Sequence, residues 1–255
     1  MNQELGIKNQ RTEVARQAFV QFSIIQKAIC ISLVFLSGFF LGWVSCSLMK
    51  NEKKISPPMK EKIVTQSPVV DTQIITHGAR DKKEVALTFD ADMTVRMREQ
   101  LHSGRIASLY DERLIEILRN THTKATLFLS GLWIEQYPDV TKDLAGDTLF
   151  ELANHSYSHP AFAGYCYGLP HSNLLAEEDE VVKTQELLTS YGIKTRYFRF
   201  PGGCYNKQDL ELMQRLHMKV IHWDVVANDG FNKNTQSIID RVIHKTQPGS
   251  IIVMH

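Results

Sequence analysis

From Glu84 to Met254 the chain alternates short β-favouring runs with helix-patterned segments, and a polar, reactive side chain closes almost every run. Strands are expected at Glu84–Phe89, Ala125–Leu129, Leu149–Ala153, Thr195–Phe200, Lys219–Asp224 and Ser250–Met254. Between them, apolar periodicity predicts helices at Leu109–Leu118, Pro138–Leu144, Leu174–Tyr191, Gln208–His217 and Ser237–Lys245. Gly192 follows the longest of these as a C′ residue, and Pro248-Gly249 turns the chain into the last strand. Such alternation implies parallel strands joined by crossovers and covered on both faces, which means an α/β doubly wound sheet or a barrel.

The residues at the strand ends carry the chemistry. Asp90 and Asp92 follow the first run, His155 and His159 the third, Arg199 closes the fourth, Trp223-Asp224 the fifth, and His255 the last. In a barrel these ends open onto one face, so residues distant in sequence converge there. His155 and His159, four apart in NHSYSH, can turn two imidazoles toward one metal, and Asp92 would complete a two-histidine, one-carboxylate set. Asp90 is a candidate proton acceptor or a strand-end cap, and Arg199 its partner or an ordinary salt-bridge residue.

Upstream the chain changes character. Ala28–Met49 carries no charge and is bracketed by Lys27 and Lys50, long enough to cross a hydrocarbon core of ~20 apolar residues. Residues 1–27 form a polar N-terminal segment, 28–49 a single-pass transmembrane signal anchor, 50–81 a Lys-, Pro- and Ser-rich flexible linker, and 82–255 the globular domain. Basic residues on both flanks leave the charge rule silent on orientation.

With 29 basic against 28 acidic residues, nothing calls for a nucleic-acid partner, and none is expected. Cys30 and Cys46 fall inside the apolar span, which leaves Cys166 and Cys204 in the globular part without a CxxC spacing; these two can pair or remain thiols. Tyr165, Tyr167 and Trp133 are candidates for stacking on sugar rings or for the core.

Taken in order, LTFDAD, NHSYSH, RFPGG, WDVVAND and VMH resemble the five motifs of the polysaccharide deacetylases, carbohydrate esterase family 4, which includes chitin, peptidoglycan and nodulation-factor deacetylases. The resemblance covers about Lys82 to His255 and implies a distorted (β/α) barrel of deacetylase type, preceded by one transmembrane helix. It implies Asp90 as general base, Asp92, His155 and His159 as ligands of a divalent metal, and Arg199 as the residue orienting Asp90. It further implies His255 as general acid tuned by Asp229, Gly202 as an oxyanion donor through its backbone N–H, and Trp223 as a substrate-binding residue. The metal is most simply Zn2+, with Co2+ or another first-row ion as alternatives.

Three departures from the family pattern stand out. Its two aspartates are usually adjacent, whereas Ala91 separates them here; Gly230 stands where a second tryptophan is common, so Phe231 or Val253 would wall the acetyl pocket; and the family continues beyond the position of His255, so the barrel is expected to lack its last helix and strand. The implied activity is metal-dependent hydrolysis of N-acetyl groups from an amino-sugar polymer, peptidoglycan or a chitin-like glycan, by an extracytoplasmic domain held near the membrane. The alternatives are an inactive glycan-binding homologue and a hydrolase of other non-peptide carbon–nitrogen bonds.

Overall fold

The computed structural model describes residues 74–255. The expected apolar span at 28–49 and most of the tether lie outside them, and among the described residues no helix is long and apolar enough to cross a membrane.

Seven strands form one sheet in which every paired neighbour is parallel: β1 (Ala86–Ala91), β2 (Ala125–Leu129), β3 (Phe150–Asn154), β4 (Tyr197–Phe198), β5 (Lys219–Val220), β6 (Val225–Val226) and β7 (Ile251–Met254), in the order β5-β4-β3-β2-β1-β7-β6. The two outer strands, β5 and β6, are separated in sequence only by Ile221–Asp224. A flat sheet of this order would place them ~29 Å apart at the usual strand spacing, yet the chain from Val220 to Val225 can span at most about 18 Å. The sheet must therefore curl, and the segment between β5 and β6 bridges its two edges, which settles the choice between an open sheet and a barrel-like one.

Two expected strands change as a result. Thr195–Phe200 pairs only over Tyr197–Phe198, and Lys219–Asp224 pairs with β4 at its start, then leaves to join β7 further on. On the way Ile221 bridges to Ile75. Asp224 thereby falls at the opposite end of the sheet from the reactive residues: it accepts from Ile251 N–H at 2.8 Å and from Arg80 Nη2 at 2.7 Å, so its role is to start β7.

Helices cover the outer face. They are α1 (Val95–His102), α2 (Glu112–Asn120), α3 (Gly131–Gln136), α4 (Pro138–Ala145), α5 (Leu174–Ser190), α6 (Lys207–Arg215) and α7 (Thr235–Lys245). The expected helices all form within a few residues of their ends, while α1 and α3 lie beyond the expected set. Gly192 takes φ 81 after α5, as its C′ position requires.

Strand alternation sorts the faces. Phe89, Leu127, Leu129 and Leu152 point outward into a core with Ile115, Leu118, Trp133 and Leu144, and a second cluster joins Phe198 and Val220 to Val181, Leu212 and Met213. The opposite parity, Thr88, Phe128, Ala153 and Val253, faces inward. Extended past the strand ends, that inward parity contains Asp90, Asp92, His155, Arg199 and His255.

Cys166 and Cys204 are joined by a disulfide with Cα atoms 6.1 Å apart, resolving what the sequence left open. The bridge ties the loop after β3 to the turn Pro201–Gly203 and closes a sequence separation of 38. In the chain-entropy picture a loop of that size stabilises by about 4 kcal/mol.

Candidate active site

The inward side chains meet at the C-terminal ends of the strands. Asp90, on β1, is almost fully buried and accepts from Arg199 Nη1 at 2.5 Å. Arg199 is fully buried too, and its other two nitrogens also donate: Nε reaches Ile221 O and Nη2 reaches His222 O, each at 3.3 Å. Its guanidinium lies 3.9 Å over the Phe128 ring, with Trp223 at 5.5 Å on another side. A buried charge is tolerable only when paired and hydrogen-bonded in this way.

Asp92 lies two residues on. In an extended chain, residues i and i+2 share a face, so the intervening Ala91 keeps both carboxylates on the inner side while its own methyl packs against the outer core. Asp92 Oδ1 stands 3.2 Å from His155 Nε2 and 3.1 Å from His159 Nε2, and the three ligand atoms lie within 4.8 Å of one another. Asp90 Oδ2 is 3.6 Å from the same His155 nitrogen.

The histidine loop is held from below. His155 Nδ1 sits 2.8 Å from the Arg199 carbonyl, a contact that needs the proton on Nδ1 and leaves the Nε2 lone pair facing Asp92. Asn154 Oδ1 accepts from Ser156 N–H at 3.0 Å, which supports left-handed Ser156 at φ 64. Glu180 of α5 then accepts from Tyr157 N–H, Ser158 N–H and Ser158 Oγ at 2.9, 2.7 and 2.7 Å. One carboxylate thus clamps the turn between the two histidines. Glu180 escaped the sequence reasoning because it belongs to no motif; Asn154 was legible only as the first letter of NHSYSH.

Electrostatics follow from burial and pairing. Burial alone would raise the Asp92 carboxyl, but His159 and His155 outweigh it and hold the group well below the usual carboxylate range. Burial alone would lower His155, but Asp90 and Asp92 raise it. With its Nδ1 proton on the Arg199 carbonyl, His155 can face the Asp92 oxygen at 3.2 Å only with a second proton or a metal ion between them, whereas His159 Nδ1 has no partner that fixes which ring nitrogen carries the proton. The donor set, two nitrogens and one oxygen on the inner face, suits a divalent first-row metal, and Asp92 Oδ1 has no hydrogen-bond donor of its own. These residues fit the group.

His255 lies at the end of β7. Its ring Nδ1 is 2.9 Å from Asp229 Oδ1, and its backbone N–H donates to Asp229 Oδ2 at 2.7 Å, so the carboxylate fixes both main chain and ring. Burial alone would lower this imidazole, but Asp229 together with Asp92 and Asp90 pushes it up to about 9. Asp229 is held below its ordinary value, since its bonds to His255 overcome burial.

Gly202 and Gly203 occupy the turn after Arg199 with φ 61 and 70. A Cβ on Gly202 would come 2.6 Å from Cys166 Sγ, and one on Gly203 2.6 Å from Trp223 Cη2, so the backbone here is approached closely from both sides. Trp223 therefore packs against this turn. An apolar cavity of about 690 Å³ lies nearby and reaches Asp90 and His255, but most of its lining is outer-core side chains such as Phe89, Leu127, Leu129 and Trp133, and it includes none of Asp92, His155 or His159.

The polysaccharide deacetylase family model matches residues 77–221, more than half of the chain, a span that includes Asp90, Asp92, His155, His159, Arg199 and Gly202. The chain belongs to the polysaccharide deacetylase family. A peptidoglycan-N-acetylglucosamine deacetylase of Bacillus cereus is 26% identical over 179 residues, 70% of this chain and 58% of that protein. An uncharacterized protein of Bacillus subtilis is 29% identical over 147 residues, 57% of this chain and 44% of its own length. This deacetylase-family chain thus spans roughly half the length of the curated relatives it matches. Among solved structures, a CE4 family pseudoenzyme from Bacillus anthracis superposes with a TM-score of 0.58 at 27% identity, covering 73% of this chain and 59% of that one.

Proposed function

We propose that this protein removes acetyl groups from N-acetylated amino sugars of a glycan, with peptidoglycan the foremost substrate and a chitin-like polymer the alternative. The observation that carries the reading is the convergence of Asp92, His155 and His159, flanked on one side by the Asp90–Arg199 pair and on the other by the His255–Asp229 pair. The names of the B. cereus relative and of a peptidoglycan-N-acetylmuramic acid deacetylase of B. subtilis, 25% identical over 207 residues, support the substrate class.

Asp92, His155 and His159 would hold a divalent ion, most simply Zn2+, which when bound supplies Lewis acidity to water and to the acetamide carbonyl. Asp90, oriented by its pairing with Arg199, takes the proton that water loses as its oxygen attacks the carbonyl carbon. The Gly202 backbone N–H is the donor this chain would offer to the developing oxyanion. His255, held protonated by Asp229, delivers its proton to the amine nitrogen as the carbon–nitrogen bond breaks. The products are acetate and a free amino sugar. Trp223, packed on the Gly203 turn, lines the side where the sugar enters. A single-pass anchor at 28–49 and an extracytoplasmic domain complete the proposal, because the polymer lies outside the membrane.

A non-catalytic, glycan-binding role is the second reading, favoured by the pseudoenzyme among the similar structures; cleavage of another non-peptide carbon–nitrogen bond is the third. The deciding experiment measures acetate release from N-acetylchitooligosaccharides and from N-acetylated peptidoglycan by the full chain, stripped of metal and then reloaded with zinc. Zinc-dependent release that disappears in Asp90→Asn is expected. A zinc-binding protein that releases no acetate would overturn the proposal and favour the second reading, while turnover of small cyclic amides alone would favour the third.

A further inference from the structure

Three large aromatic side chains stand out in solvent around the site: Tyr165, 92% exposed, Tyr167, 67% exposed, and Phe231, 72% exposed. Two of them meet. The rings of Tyr167 and Phe231 lie 5.5 Å apart between centroids, tilted by 33°, although they come from loops 64 positions apart in the sequence. Exposed aromatic rings that adjoin in this way offer a contiguous apolar surface to a ligand.

Each ring is tied to a different part of the proposed machinery. Tyr167 follows the buried, disulfide-bonded Cys166, and its left-handed backbone, φ 50, turns the side chain out of the core. Its ring edge lies against Gly202, where a Cβ would come within 3.1 Å of it. Phe231 follows Gly230, whose Cβ position is 3.5 Å from His255 Nδ1, and its turn is closed by Phe231 N–H and Asn232 N–H on Asn228 O. The aromatic pair therefore spans from the oxyanion turn to the general acid.

We infer that Tyr167 and Phe231 form a stacking platform for the pyranose ring next to the acetylated one in the same glycan. This rests on the deacetylase reading. The face of a pyranose is a set of weakly positive C–H groups, the complement of the negative face of an aromatic ring. A polymer whose acetamide lies between Gly202 and His255 must pass its neighbouring sugar over the surface joining them. The Cys166–Cys204 bridge keeps one half of the platform in place.

The test is a kinetic and binding series with the zinc-loaded full chain on N-acetylchitooligosaccharides of two to six sugars. Tyr167→Ala and Phe231→Ala are expected to raise KM by about tenfold on the longer substrates and less on the dimer, with kcat changed by less than about twofold, while Tyr167→Trp restores KM. Reduction of the disulfide is expected to move KM in the same direction. Unchanged KM at every length would overturn the platform, and so would an equal fall in kcat at every length. The same comparison is made by calorimetry in an Asp90→Asn background, which needs no turnover. Oligosaccharide affinity that drops with Tyr167→Ala supports the platform even if the chain proves not to be a deacetylase, whereas equal affinity, or none with either protein, overturns it.

Discussion

Asp92 Oδ1 lies 3.1 Å from His159 Nε2 and 3.2 Å from His155 Nε2, while Asp90, two residues earlier, is committed to Arg199. The two carboxylates on one strand end thus have different main partners, although Asp90 Oδ2 also comes within 3.6 Å of His155 Nε2. Replacing Asp92 by Ala is expected to weaken zinc binding by more than about a hundredfold, measured by competition with a chromophoric chelator. Asp90→Asn is expected to change affinity by only a few-fold while abolishing acetate release. Equal loss of affinity in both variants would contradict that division of labour.

The His255–Asp229 pair gives a pH prediction. Because the folded His255 is raised to about 9, its pairing contributes stability that is fully present below 6.5, its ordinary value, and is lost as pH rises through about 9. The same proton serves the leaving amine, so the alkaline limb of kcat/KM should follow His255. Asp229→Asn is expected to move that limb toward lower pH. Loading zinc is expected to lower the His255 pKa seen by NMR in the wild type, since a dication offsets the charges of Asp92 and Asp90. A limb that stays put in Asp229→Asn would remove His255 from the role of acid.

Much of this was legible in the sequence for a simple reason. Period-two alternation fixes which side of a strand a residue faces, so Asp90, His155, Arg199 and His255 could be placed at one opening from their positions after apolar runs. The D-x-D spacing looked like a departure, yet the same alternation keeps both carboxylates on one face. Asp224 was misplaced because IHWD reads locally as the end of a strand, whereas its path is set by the need to bridge two sheet edges that are distant in sequence. The Glu180 clamp and the disulfide pairing depend on tertiary proximity, which has no local signature. The short helices α1 and α3 were missed because α1 buries no residue fully and α3 spans only Gly131–Gln136.

Glu180 offers a test of how much the histidine loop depends on support from outside the metal-binding residues. Its carboxylate accepts three hydrogen bonds from Tyr157 and Ser158, between His155 and His159. Glu180→Ala is expected to lower zinc affinity by about 10–100-fold while leaving the ligands themselves intact. Glu180→Gln retains acceptor oxygen and should fall between the two. Chelator competition beside circular dichroism checks this; an unchanged zinc affinity would show that the loop is set by Asn154 and the left-handed Ser156 alone.

Away from the site, Glu177 at the start of α5 and Asp209 in the capping box of α6 are buried 2% and 1% exposed, and each has a carboxylate oxygen without a donor. Asp209 Oδ2 already accepts from Asn206 N–H at 2.7 Å, so a single proton on Glu177 would satisfy both groups. Burial, then the charge of Asp209, raises Glu177 from 4.5 to about 7. Between those two values the folded state holds more protons than the unfolded one, so stability falls as pH rises through this window and the penalty persists above it. Glu177→Gln keeps a donor facing Asp209 and has no charge to lose. It is expected to be more stable than wild type at pH 8, on the order of 2 kcal/mol or about 5 °C in Tm, and no more stable at pH 4.5. Thermal melts across that range check it: a gain that is equal at both pH values would mean that Gln improves packing and that the carboxyl pair does not titrate in the folded protein.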